Sequence, residues 1–586
     1  MHGRKTHGFS SLRYKVIALI FIVIVGILLT RLLYLTTIDR GFLLDKGLQE
    51  ANHPRVIPAN RGVIFDRNGV PLAVSAPIDN IIFDAKVLSQ DTNDADWHAL
   101  ATSPVLDMSL DEIRTLVFSN PTSRHVIVIK NLPPSEAAEV DNLNVPGVYV
   151  ERNHQSFYPQ GTALAQFVGF TDVNDTGQDA IELAYEKYLA PIYGKQYITT
   201  SALGQVYSIN QLVKDAQDGH DLYLSIDSRL QYVAYQALSA QVQKTDADWG
   251  SVVILNPHTG EVLAAVSYPS FNPNSTTGRS GIEVQDQAIT STIEPGSTMK
   301  PVTITAALES GQYQPNTPID TNPGSYMLDN NKIQDDSNFG LINVTKVITK
   351  SSNVGISKIA LSLPRKVEYN MFLKAGISQK PSGGKFPGEA SGFIYPLNIL
   401  GDFQFATMAF GYSVTASTLQ MARYYAAIAN GGVLMPITYV KLDTPPSGQR
   451  IMSADTANEM INILKTVVNP NDGGTGILAN VPGYVVAGKT GTAHIVNPKG
   501  GYFSDHNNAL FAGMIPANNP QLVIVVLVSN PKAAHFYGYG GIGAAPVFAQ
   551  IALAAMHILG IPPSNDQINL KLFQNQQQYY QQLIEA

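Results

Sequence analysis

One long apolar stretch near the N-terminus constrains this chain before anything else does. Val16 to Thr30 carries no charge, Arg31 interrupts, and Leu32, Leu33, Tyr34 and Leu35 resume it. As one helix, residues 16–35 reach the ~20 residues that a bilayer crossing needs. Arg31 lies near the far end, where its stem can snorkel to the interface. Tyr14 and Tyr34 stand near the two ends, where aromatic rings favour the headgroup level. Arg4, Lys5, Arg13 and Lys15 precede the stretch. Residues 1–15 are therefore expected to stay as a cytoplasmic tail, with the rest of the chain outside. A cleaved signal peptide needs a small-x-small site after its apolar core, and Thr36-Thr37-Ile38-Asp39-Arg40 stands there instead. No other stretch reads as a span: Val523–Val528 is short and is expected to be a buried strand.

A chain of 586 residues predicts two or three folded units beyond this anchor. With 45% hydrophobic and 15% charged residues, packed cores rather than disorder are expected. A net charge of −7 argues against nucleic acid as a partner. The absence of cysteine excludes disulfides, Cys-ligated zinc, iron–sulfur clusters and thiol nucleophiles, and leaves serine or carboxylate chemistry open.

Residues 36–218 alternate short β-like runs with turn signals. Gly62–Val74 reads as two strands about an Asn68-Gly69 turn. Leu110–Val117 reads as a helix with Ser109 at its N-cap and Glu112 three residues on. Ser135–Leu143 is expected to be helical, and Phe157-Tyr158-Pro159-Gln160-Gly161 to be a loop. At Gly219-His220-Asp221 the character changes, and a second unit runs to residue 562. Leu222–Ile226 is expected as a strand, and Asp227-Ser228 as the cap of a helix over Arg229–Val242. Residues 251–255 and 261–266 predict a hairpin. Gln521–Val528 predicts a further strand, and a helix near Ala545–Leu559 closes the unit. Strands at both ends with helices between suggest an α/β or α+β layer architecture. Residues 563–586, rich in Gln and Asn, read as a polar tail.

Three short motifs carry candidate chemistry. The first is Ser297-Thr298-Met299-Lys300, entered through Glu294-Pro295-Gly296. On a helix, i and i+3 share a face, which sets a hydroxyl beside an amine. Burial lowers a lysine's pKa, so the neutral amine can take the serine proton. Pro295-Gly296 supplies a turn into that helix, and the apolar residues after Pro301 carry it into the core. Alone this motif is weak, and Ser382-Gly383-Gly384-Lys385 repeats its letters in a Pro/Gly-rich stretch that holds a helix poorly.

The second motif, Ser351-Ser352-Asn353, is either a helix cap or turn, or a proton-relaying hydroxyl with a substrate-orienting amide. The third, Lys489-Thr490-Gly491-Thr492, follows the β-like Tyr484–Ala487. On a strand Thr490 and Thr492 share one face and, with the ammonium, make a carboxylate site. Gly491 leaves the strand edge open to a peptide. Residues 483–490 also fit the phosphate-loop pattern G-x-x-x-x-G-K-[ST]. Three features exclude that reading. Tyr484-Val485-Val486-Ala487 is bulky and β-forming, no helix is expected after Thr490 to supply an anion site, and the later apolar run ends in Ser529-Asn530 with no aspartate for magnesium.

Ser-x-x-Lys, Ser-x-Asn and Lys-Thr-Gly in this order are the signature set of penicillin-binding proteins and serine β-lactamases. The chain resembles class B penicillin-binding proteins over nearly its whole length, nearest their division-specific septal branch. The resemblance also rests on Arg61-Gly62 with Asp66-Arg67-Asn68-Gly69, on Phe157-Tyr158-Pro159, Val168-Gly169-Phe170 and Gly219-His220-Asp221-Leu222, and on Gly540-Gly541 with Ala545-Pro546-Val547-Phe548. It implies a transmembrane helix, a non-catalytic α+β pedestal over 36–218 and an α/β, serine β-lactamase-like transpeptidase domain over 219–562. It departs at Ala180-Ile181-Glu182, where relatives often begin with glycine.

The resemblance further implies a two-step acyl transfer on peptidoglycan stem peptides ending in D-Ala-D-Ala. Lys300 would activate Ser297, and Ser351 and Lys489 would pass the proton to the departing D-alanine. Asn353 would hold the donor amide, and Thr490, Gly491 and Thr492 would bind the donor terminus. Backbone N–H groups of Ser297 and Thr492 would form the oxyanion hole. β-Lactams mimic the donor and would acylate Ser297. No metal or cofactor is implied; a glycan polymerase of the division complex is the expected protein partner. His494 is expected as a strand-end side chain, and Tyr502, Phe503 and Tyr539 as cleft walls or packing. Arg61, Asp66 and Arg67 are expected to tie strands together. Among rivals, a β-lactamase lacks its E-x-x-L-N element here. A β-lactam receptor needs more than the 15 residues that precede this span, and a silent scaffold needs no complete motif set. An elongation-specific sibling differs least.

Overall fold

The computed structural model describes residues 11–200, 206–275, 277 and 279–563. Most of the expected cytoplasmic tail and all of the polar tail after Pro563 lie outside the described residues. The chain divides into two compact units, Met1–Asn60 with Pro191–Gly219, and Arg61–Ala190 with His220–Ala586. Residues 36–218, the expected pedestal, contribute to both units.

In the first unit, helix α1 (Ser11–Thr37) contains the whole predicted span, and among the described residues its side chains are unburied. The hydroxyls of Thr30 and Thr36 donate to Gly26 O and Leu32 O at 2.8 Å, which spares them unpaired polar atoms in an apolar surrounding. A three-stranded antiparallel sheet completes the unit, in the order Asn52–Ile57, Gly194–Thr200, Val206–Lys214.

The second unit begins with a turn that does more than reverse the chain. Ile64–Phe65 pairs antiparallel with Pro71–Phe83, as the Asn-Gly signal predicts. Asp66 Oδ1 accepts from Asn68 N at 2.7 Å and Val70 N at 2.8 Å. Its Oδ2 accepts from Ser228 N and Oγ at 3.1 and 2.8 Å. Asn68 Nδ2 donates to Asp227 Oδ2 at 3.1 Å, and Arg67 meets Glu261 at 3.5 Å. These bonds explain why residues 61–190 close up with the C-terminal part. Arg61 is buried between Glu182 (2.5 Å) and Glu186 (2.7 Å). The strand Pro71–Phe83 also pairs with Val126–Leu132 and Val148–Phe157. Helix Leu110–Ser119 carries the predicted Ser109–Glu112 capping box, and Pro134–Asp141 the other predicted helix. Ala180 sits at φ +49, a left-handed conformation that favours glycine, so the departure from the family pattern marks a strained turn.

Leu222–Ile226 forms only a two-residue strand, Leu222–Tyr223, parallel to Ile64–Phe65. Asp227 then caps α2 (Ser228–Thr245) through Arg229 N, as expected. The main sheet is antiparallel throughout: β1 (Trp249–Leu255), β2 (Val262–Tyr268), β3 (Ala487–Val496), β4 (Tyr502–Ile515) and β5 (Leu522–Ser529) lie in the order β2-β1-β5-β4-β3. Every residue of β5 is buried, because both faces of the sheet are covered. Val252, Ile254, Val526 and Val528 pack with α2 and α6 (Ala545–Ile558). Val253, Val523, Val525 and Leu527 pack on the other face with α3 (Lys300–Glu309) and α5 (Thr418–Ala429). The alternation is the two-residue period of a strand, and the result is a three-layer α/β unit. Gly540–Ile558 is also long and apolar enough to span a membrane, but half of it is buried in this core.

Candidate active site

The Ser297 turn is shaped by backbone contacts. Gly296–Met299 is a 3-10 turn and α3 starts at Lys300, so the expected α-helix holds the lysine but not the serine. In a 3-10 turn i and i+3 eclipse, which still sets Ser297 and Lys300 on one side. Gly296 has φ +54, and a Cβ on it would stand 2.9 Å from Thr492 O, a conformation and approach suited to glycine. Thr298 Oγ1 donates to Pro295 O at 2.7 Å, and Tyr425 Oη to Thr298 O at 2.8 Å. Pro301 falls in the first turn of α3, where a missing N–H is harmless, and residues 300–308 are buried.

Ser351 and Asn353 flank the start of α4 (Asn353–Ser362). Ser352 is the N-cap; its Oγ accepts from Gly355 N at 2.8 Å and donates to Asp335 Oδ2 at 2.6 Å. Asp335 Oδ1 accepts from Val354 N at 2.9 Å, a carboxylate where the helix dipole favours one. The capping reading of this motif is therefore carried by Ser352, and its neighbours are left for the site. Ser351 has φ +59, and its Oγ lies between two amines, 3.1 Å from Lys300 Nζ and 3.0 Å from Lys489 Nζ. Lys300 Nζ also donates to Ser351 O and, at 2.8 Å, to Asn353 Oδ1. Asn353 Nδ2 donates to Gln334 O at 3.1 Å. Among the described residues the hydrogen bonds of Lys300 Nζ run to Ser351 and Asn353, and none reaches Ser297 Oγ.

Both lysines are fully buried. Burial pushes Lys300 down to about 7, against the pull of Asp335 and Asp336. Burial, and then the charge of Lys300, hold Lys489 well below the ordinary lysine value. With both amines on one hydroxyl, the charge on either disfavours the charged form of the other.

Lys489, Thr490, Gly491 and Thr492 lie on β3, the edge strand, so the phosphate-loop alternative has no cradle here. Thr490 Oγ1 shares a hydrogen with Thr475 Oγ1 at 2.6 Å, and Gly540 N donates to Thr492 Oγ1 at 3.2 Å. At Gly491 a Cβ would meet Thr298 Cγ2 at 2.8 Å and Pro295 O at 3.1 Å, so its bareness lets the strand pack on the Ser297 turn. The repeat Ser382–Lys385 is a turn, with Ser382 Oγ donating to buried Glu389 at 2.8 Å.

A cleft of about 500 Å3 gathers Ser297, Ser351, Asn353, Thr490 and Thr492. Asp336, Tyr412, Thr475, His494, Ser504, Asn507 and Tyr539 also line it. His494 is thus more than a strand end, whereas Tyr502 turns to Glu294 at 3.2 Å and meets Tyr412 edge-to-face at 5.3 Å. Thr475, Asp336, Ser504 and Asn507 escape the sequence reading. Thr475 sits in Asp472-Gly473-Gly474-Thr475-Gly476, which signals only a turn, and no spacing ties the others to the motifs. Among the described residues no group of three or more His, Asp or Glu could hold a metal ion.

The family model for the penicillin binding protein transpeptidase domain matches residues 250–553, and that for the penicillin-binding protein dimerisation domain matches 56–224. The chain belongs to the penicillin-binding proteins. It is similar to peptidoglycan D,D-transpeptidase FtsI of Escherichia coli K12, 32% identical over 563 residues, which cover 95% of this chain and 93% of that protein. It is 33% identical over 535 residues to the probable peptidoglycan D,D-transpeptidase PbpC of Pseudomonas aeruginosa, covering 91% and 93%. Among solved structures, penicillin-binding protein 3 of Mycobacterium tuberculosis in complex with aztreonam aligns with a TM-score of 0.67 at 27% identity, over 87% of this chain and 98% of that one. The transpeptidase domain of Burkholderia pseudomallei penicillin-binding protein 3 aligns with a TM-score of 0.53 at 40% identity, over 58% and 98%. This penicillin-binding protein therefore pairs an N-terminal apolar helix with the dimerisation and transpeptidase parts of its family.

Proposed function

We propose that this protein is the septal peptidoglycan D,D-transpeptidase of its cell, held in the inner membrane by α1 with its catalytic part in the periplasm. The observation that supports this most is the buried Lys300–Ser351–Lys489 relay beside Ser297. A neutral Lys300 amine takes the Ser297 Oγ proton as Oγ attacks the penultimate D-alanine carbonyl. The resulting oxyanion rests on the N–H groups of Ser297 and Thr492. Collapse breaks the peptide bond, and the departing D-alanine nitrogen receives its proton through Ser351 Oγ and Lys489. Thr490 and Thr492 hold the donor carboxylate, with Gly491 setting the strand in place. Asn353 exchanges Lys300 for the donor amide. The amine of a neighbouring stem peptide then attacks the Ser297 ester and closes the cross-link. Residues 36–218 serve as pedestal, 219–562 as transpeptidase, and a glycan polymerase of the division complex is the protein partner.

The test is covalent labelling of the detergent-solubilised protein with a fluorescent penicillin, beside Ser297→Ala, followed over hours. A stable label absent from the variant is expected. A label that is quickly shed indicates a β-lactamase, and a label retained by S297A rejects Ser297 as the nucleophile.

A further inference from the structure

One side chain on the cleft wall is buried with its carbonyl oxygen unpaired among the described residues. Asn507 of β4 stands in register with His494 of β3, is 5% exposed and lines the cleft. Among the described residues its Oδ1 is buried without a hydrogen-bond partner. Gly538 closes over the amide, since a Cβ on it would lie 3.1 Å from Asn507 Nδ2. Buried polar groups in folded proteins are almost always paired, and an unpaired one destabilises the fold. The relay, the Ser297 turn and the Thr490–Thr492 pair all form without Asn507.

Its position says what it could meet. Along β3 the residues advance ~3.3 Å each, so the His494–Asn507 level lies ~7 Å beyond Thr492. An extended donor whose carboxylate rests at Thr490 and Thr492 reaches that level with the residue preceding D-Ala-D-Ala. A carboxamide presents one acceptor and a pair of donors in a single plane, whichever way it is turned. Its full complement is another amide. A carboxylate would leave Oδ1 unpaired, and a ketone would do the same.

We propose that Asn507 is a specificity residue that binds an amide group carried by the donor residue preceding D-Ala-D-Ala, accepting its N–H on Oδ1 and donating Nδ2–H to its carbonyl. This rests on the donor placement proposed above. The amide can belong to that residue's side chain or to its main chain.

Three penicillins that differ only at the tip of the acylamino side chain separate these sources: a primary carboxamide, a methyl ketone and a carboxylate. Acylation rate constants are measured on the full-length protein in detergent, wild type beside Asn507→Leu and Asn507→Asp, with the melting temperature of each. The wild type is expected to react about tenfold faster with the carboxamide than with the ketone. N507L should erase that preference while melting no lower than wild type, because it removes an unpaired buried amide. N507D should lose most against the carboxylate probe. Equal slowing of all three probes in N507L, with its melting temperature kept, assigns the contact to the main-chain amide. Unchanged rates and ranking in N507L overturn the proposal, as does a lowered melting temperature with the ranking kept. If no probe labels the wild type, the transpeptidase reading fails instead.

Discussion

Acylation by this enzyme should switch on as Lys300 loses its proton. Burial sets that loss at about 7, so the acylation rate should be half its alkaline plateau near pH 7. At pH 5, with roughly 1% of Lys300 neutral, it should be about 100-fold lower. Stopped-flow acylation with a chromogenic cephalosporin across pH 5–9 reads this directly. Replacing Lys489 by methionine removes a proton-carrying amine from the same hydroxyl, so the plateau should fall. The same burial has a thermodynamic side. Lys300 binds its proton less tightly in the folded than in the unfolded chain, so stability rises with pH between about 7 and 10.5. A rate that stays flat from pH 5.5 to 8.5, or an inflection above pH 9, would falsify the idea that a neutral Lys300 is the base.

Three further outcomes are expected. Ala180→Gly relieves the left-handed strain at φ +49 and should stabilise the protein by about 1 kcal/mol, seen as a higher melting temperature; an unchanged or lower one refutes the strain. Arg61→Met leaves Glu182 buried without its cation and should destabilise by about 3–5 kcal/mol, and adding Glu182→Met should recover much of that. Glu368 is buried, accepts among the described residues from Thr303 Oγ1 at 2.8 Å, and is pushed up to about 8 by burial. Its contribution is present at low pH and is lost as pH rises from about 4.5 through 8. Glu368→Gln, which mimics the protonated acid, should match wild type in melting at pH 5 and exceed it at pH 9.

Much of the catalytic frame is legible in the letters because local chemistry decides it. Asp227 before an apolar-periodic run caps a helix, Asn68-Gly69 turns a hairpin, and Val523–Val528 is buried on both faces because it has no polar alternation. The motif residues come together because sequence order and residue type already pair hydroxyls with amines. What is not legible depends on long-range packing. The 3-10 geometry at Ser297 is imposed by the close passage of β3, and the role of Gly491 shows only once Thr298 is seen against it. Thr475 and Asn507 reach the cleft through loop and register, which no spacing rule encodes. The contact between the two halves of the chain is of the same kind: Asp66 bonds to Ser228 across 162 positions.

The tight seat of β3 on the Ser297 turn bears on how drug resistance can arise in this protein. At Gly491 and Gly296 the space for even one methyl group is already filled by Thr298, Pro295 and Thr492. Mutation there would part the strand from the Ser297 turn and, on the mechanism proposed above, disable cell-wall synthesis together with antibiotic capture. Selection by a β-lactam is left with the softer perimeter of the cleft, at His494, Ser504 and Tyr539, where a side chain can change without moving the frame. Inhibitors that draw their affinity from the frame and lean little on the perimeter would leave bacteria the fewest routes of escape.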